Sequence, residues 1–108
     1  MQTLIQVFCK GNLTSIRRRI AIDKKIEKYD LVILEHKKNS RSGGWLKLRG
    51  IETDGVLNIE WNASTKVLFA RVINKRSTKP DMLIGAFVSY MLGRHKSIIK
   101  AINIVPIT

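Results

Sequence analysis

Residues 45–49 read Trp-Leu-Lys-Leu-Arg. In an extended chain successive side chains point to opposite faces, so Trp45, Lys47 and Arg49 share one face while Leu46 and Leu48 share the other. An indole in a row with an ammonium and a guanidinium suits a flexible polyanion that carries flat bases. Each base stacked on an exposed ring contributes about 1–3 kcal/mol, and the cations neutralise phosphates. Two further groups add charge of the same sign. Arg17, Arg18 and Arg19 form an uninterrupted run, and Lys37, Lys38 and Arg41 decorate a turn that ends in Gly43 and Gly44. Together with Trp45, Lys47 and Arg49 they make up the candidate nucleic-acid-binding set. Lys75, Arg76 and Lys79 precede a helix whose first N–H groups could receive a phosphate, and there a solvated surface is the favoured reading.

No other residues form a comparable constellation. His36 and His95 have no companions in the sequence, and a solvent-facing or structurally hydrogen-bonded role is the expectation for each. Glu52, Asp54 and Glu60 are the acids nearest one another around a turn, and only a fortunate geometry would let them hold a cation for a nuclease. The "RSGG" stretch lacks the spacing of a nucleotide-binding loop. Cys9, the single cysteine, cannot form an intrachain disulfide and reads as a small buried hydrophobe. No catalytic residue, metal ligand or cofactor is therefore assigned, and the expectation is a binding protein rather than an enzyme.

The charge balance agrees with that expectation. The chain has 108 residues, enough for one domain, and its 20 Lys and Arg face only 8 Asp and Glu, a formal +12. Such an excess is self-repelling in the folded state and suggests a polyanionic partner. With no apolar run of membrane-spanning length and no convincing signal peptide, a cytoplasmic location is expected.

The elements that must position these residues follow from periodicity. Strands are expected over 3–9, 30–38, 45–52, 56–62 and 66–74, joined by short turns rich in Gly, Asp, Asn and Ser that favour an antiparallel meander. Residues 10–29 read as helix or strand about equally: Leu13, Ile16 and Ile20 have helical spacing, yet Ile20 and Ile22 alternate around Ala21. In the helical reading, Arg17, Arg18 and Arg19 turn mainly away from the core. From Pro80 the period changes; Leu83, Phe87 and Met91 form one stripe widened by Ile84 and Val88, which predicts an amphipathic helix over about 80–97. A last strand over 100–107 contains Pro106, a residue suited to a sheet edge.

The expected fold is thus α+β: an antiparallel meander, one C-terminal amphipathic helix packed on one face, and a final short strand. Leu57, Ile59 and Trp61 join Leu46 and Leu48 under the helix, and Asn58 and Glu60 join Trp45, Lys47 and Arg49 on the opposite face. Strand 66–74 has no cleanly polar face, which places it centrally or under a partner subunit. The function expected is sequence-tolerant binding of nucleic acid, single-stranded DNA or RNA ahead of duplex, without a membrane and with a homodimer as a candidate assembly. The competing expectations are a small regulator that docks its basic face on an acidic protein and, further behind, a metal-dependent nuclease.

Overall fold

The alternation over the expected strands is realised as strands. The computed structural model describes residues 2–10, 16–37, 45–52, 55–73 and 80–106. Its strands are β1 (Gln2–Cys9), β2 (Leu31–Lys37), β3 (Trp45–Gly50), β4 (Val56–Asn62), β5 (Val67–Ile73) and β6 (Ile99–Pro106). They form one six-stranded sheet in the order β2-β3-β4-β5-β1-β6, antiparallel between all neighbours. The expected meander is β2 to β5. Beyond it, β1 lies between β5 and β6, so the two ends of the chain pair with each other and make β5 an interior strand.

One face of this sheet is the core. Ile5 and Val7 of β1, Leu46 and Leu48 of β3, Leu57, Ile59 and Trp61 of β4, and Leu68, Ala70 and Val72 of β5 are all buried there, as is Cys9. Their cover is α2 (Pro80–Arg94), which buries Leu83, Phe87, Tyr90 and Met91. These residues lie four, seven and eight positions apart, one stripe of a helix. Phe87 is wholly enclosed, and truncating such a ring to Ala costs about 3–5 kcal/mol.

The segment with two readings is helical. Residues Ile16–Ala21 form α1, followed by a 3₁₀ segment at Lys24–Tyr29. Tertiary burial decides between the two periods: Ile16, Ile20 and Ile26 reach the core, while Ile22, which a strand would put on the same face as Ile20, is 74% exposed. α1 packs over β3 and β4 while α2 packs over β5, so both helices lie on the same face. Arg17 departs from expectation. It is only 3% exposed, so the run does not turn mainly outward; Arg18 and Arg19 are the exposed pair.

The C-terminal helix is also shorter than expected. It ends at Arg94, and His95 leaves helical geometry at φ −132 before a short 3₁₀ turn, Lys96–Ile98, leads into β6. The break turns His95 inward, where it is buried. At the other end of the 3₁₀ segment Lys24–Tyr29, Asp30 takes a left-handed conformation (φ 65). Its carbonyl accepts from the Ile51 N–H at 2.9 Å and its carboxylate from the Glu52 N–H at 3.0 Å, which locks the start of β2 to the end of β3.

Gly93 marks a close approach between elements. A Cβ there would collide with the Tyr29 phenol, whose ring packs edge-on against Tyr90 with centroids 5.5 Å apart. Replacing Gly by Ala in a helix normally gains up to about 1 kcal/mol, but overpacking costs about 1–3 kcal/mol, and the clash wins. Gly93→Ala is therefore expected to lower stability in urea denaturation, and the same change in a Tyr29→Ala background is expected to raise it. A destabilisation equal in both backgrounds would contradict the close approach.

Candidate nucleic-acid interface

No described element covers the second face of the sheet, and the strand registers order its side chains into rows. One row runs Trp45, Glu60, Phe69, Gln6, Asn103 across β3, β4, β5, β1 and β6. The next runs Lys47, Asn58, Arg71, Leu4, Val105, and a third begins Arg49, Val56, Ile73. Neighbouring strands are about 4.8 Å apart, so Trp45 and Phe69 stand roughly 10 Å apart, with Lys47 and Arg71 at the same spacing one row away. Arg49 and Arg71 are exposed, while Trp45, Lys47 and Phe69 are half-buried, which leaves part of each ring and stem accessible. Aromatic and cationic rows thus lie side by side on one wet face.

The middle of this face is hollow. A depression of about 380 Å³ is lined by Leu4, Asn58, Glu60, Phe69 and Arg71. Phe69 and Arg71 were not in the set read from sequence. Their signal was the failure of that strand to show a clean polar face. The position of β5 between β4 and β1 explains it, because an interior strand shields even its outer side chains with neighbours on both sides.

The predicted cations divide between two surfaces. Lys47 and Arg49 share the open face with Trp45, as their parity required. Lys37 pairs with Trp45 at the end of β2 by backbone register, and Lys38 and Arg41 lie outside the described residues, as do Lys75, Arg76 and Lys79. Arg18 and Arg19 belong to α1, on the helix-covered side, so they cannot act in one surface with Trp45. Arg17 is buried, and burial together with the Arg18 charge pulls its pKa down. The placement of Arg17 in an exposed cationic run is therefore corrected: α1 turns it inward beside Ile16 and Ile20.

Elsewhere the titratable groups form a cluster that is structural in character. The Tyr90 hydroxyl donates to Asp23 Oδ2 at 2.9 Å, and Arg94 Nε donates to the same oxygen at 3.1 Å. Because the Tyr90 proton is committed to Asp23, His95 Nε2, 3.0 Å from the phenol oxygen, is the donor there. Burial alone would raise the Asp23 carboxyl, but hydrogen bonds from Arg94, Tyr90 and the Lys25 N–H outweigh it and hold it below the usual carboxylate range. Burial and the Asp23 carboxylate push the Tyr90 phenol far above its ordinary value. Burial lowers the His95 pKa; Asp23 opposes that shift, and the Arg94 and Arg19 charges reinforce it. The cluster pins the α1 end to the C-terminus of α2. His95 thus has a buried, hydrogen-bonded role, while nothing is described of the His36 side chain.

Among the described residues no group of three or more His, Cys, Asp or Glu is placed to hold a metal ion, and Asp54 of the candidate acidic trio lies outside them. Burial raises the Cys9 thiol pKa, and its sulfur lies 3.7 Å from the Val7 carbonyl, in keeping with a packed hydrophobe. Among the same residues no helix is long and apolar enough to cross a membrane.

Stability should follow pH through this cluster. The unfolded-state His95 titrates near about 6.5 and the folded one lower, so the unfolded chain binds more protons and stability falls as pH drops from there. Asp23 has a depressed folded pKa, so its contribution is complete above about pH 4 and disappears as pH falls through the folded value. In urea midpoints, His95→Gln is expected to flatten the slope between about pH 6.5 and 5, and parallel curves for parent and variant would contradict the buried neutral imidazole. Tyr90→Phe is expected to cost about 1–3 kcal/mol at neutral pH by stranding its partners. No protein-family model matches the chain, and neither the curated proteins nor the solved structures contain a match.

Proposed function

We propose that the protein binds single-stranded nucleic acid on the open face of its sheet, without sequence-specific readout as its main source of affinity. The observation that carries this reading is the adjacency of the rows: Trp45 and Phe69 in one, Lys47 and Arg71 in the next, Arg49 in the third, on a face that no described element covers. A flexible strand can present unstacked bases to the rings while its phosphates follow the cations. A duplex keeps its bases stacked and offers the rings nothing, the amphipathic stripe of α2 is spent on the core, and α1 is only six residues long. The formal charge of +12 supplies the long-range attraction.

The competing reading is an acidic protein partner on the same basic face. It shares the cations but has no need of two rings in register, which is why nucleic acid is preferred. Glu60, between Trp45 and Phe69, opposes phosphate binding and marks where the backbone of the strand does not run.

Trp45→Ala is expected to weaken binding to a short single-stranded oligonucleotide by about 1–3 kcal/mol. Lys47→Ala with Arg49→Ala is expected to lower the slope of log K against log salt by roughly 0.7 for each phosphate that is no longer neutralised. Glu60→Gln is expected to tighten binding several-fold. Fluorescence anisotropy at fixed salt measures the first and third, and a salt series the second; binding unchanged by the Trp45 and cation substitutions would remove the site.

A further inference from the structure

We infer that two copies of the chain pair through the free edge of β2 to form one continuous sheet. β2 is the outermost strand, and among the described residues no hydrogen bond reaches its outer backbone. Unpaired N–H and C=O groups along an edge are a template for another strand. This edge is also apolar. Ile22 is 74% exposed and Leu34 46%, and both lie at or beside β2. Beside them runs a groove of about 480 Å³, lined by Ile22, Ile26, Val32 and Ile33 with Asp23 and Glu27 among its polar residues.

Charge identifies the occupant as a second copy. From Ile22 to the end of β2 at Lys37, Asp23, Glu27, Asp30 and Glu35 are set against Lys24, Lys25, Lys28 and Lys37, no net charge in a chain of +12. Two such chains repel over most of their surfaces. Contact through the open face would press Lys47, Arg49 and Arg71 against their own copies. The β2 edge is the place where the chain meets itself without that penalty, and more distant charges are screened beyond about 8 Å at physiological salt. The opposite edge is less suited: β6 carries exposed Lys100 and ends at Pro106, which lacks an N–H.

A pairing centred on Ile33 sets Leu34 of each copy, the residue at which the register of β2 slips against β3, opposite Val32 of the other, at the mouth of the apolar groove. Antiparallel pairing of like edges puts the two-fold axis normal to the sheet, so both open faces lie on the same side. The inference stands on the edge alone and does not require the proposed ligand. If that ligand binds, the dimer offers it one platform of twice the width.

Analytical ultracentrifugation of the full chain without nucleic acid, at high micromolar concentration, tests it. The parent should sediment as a dimer. Leu34→Lys and, separately, Ile22→Lys should weaken self-association by more than about tenfold with circular dichroism unchanged, since each brings like charges together across the axis. Ile104→Lys, at the exposed opposite edge, should leave the dimer intact. A monomeric parent, or a dimer that survives both β2-edge substitutions, or one split by Ile104→Lys alone, would overturn the inference.

Discussion

Everything in this molecule follows from a sheet that, among the described residues, is covered on one side only. The backbone fixes a period of two, so each strand divides its residues between two faces whether or not both can be buried. Helices α1 and α2 supply cover for one set, and Leu46, Leu48, Leu57, Ile59, Leu68 and Ile5 meet beneath them with no exposure. The other set must live with solvent across most of six strands. A chain of this length has too little material to bury both. The second face therefore carries cations and amides among its rings, and its composition is where function can reside.

The excess charge acts on the same division. A protein at +12 is destabilised by its own field unless a counter-charge arrives, yet the acids it has are not spread evenly. Asp23 is spent inside the helical layer, held by Arg94, Tyr90 and the Lys25 amide, where it ties two helical elements together. Asp30 is spent on the β2–β3 junction. Glu60 is the acid on the central strands of the open face. What remains there is positive beside aromatic, and the nearly neutral stretch collects at one edge. Stability, the proposed binding and the inferred assembly thus draw on separate parts of one uneven charge distribution.

Much of the fold was legible from local pattern. The strict alternation in "WLKLR" and "LNIEW" gave the parity of β3 and β4 and with it the company of Trp45, while the change of period at Pro80 gave α2. Pairings between distant parts of the chain were not legible. Nothing near β1 says that it lies between β5 and β6, because that pairing is decided by the two ends of the chain meeting. In "IRRRIA" both periods fit, and only packing against the core selected the helix and took Arg17 inside. Asp23 and His95 show no relation in sequence, yet Tyr90 bridges them. For the same reason Phe69 and Arg71 entered the candidate site only when β5 was placed beside β4.

The most direct test is to titrate ¹⁵N-labelled protein with a short single-stranded oligonucleotide and map the amide and indole shifts onto the sheet. The account predicts that the changes concentrate at the Trp45 indole and at the amides of Lys47, Arg49, Phe69 and Arg71, with α1 and α2 silent. Shifts confined to Arg18, Arg19 and the helical layer, or no shifts at low salt, would contradict it.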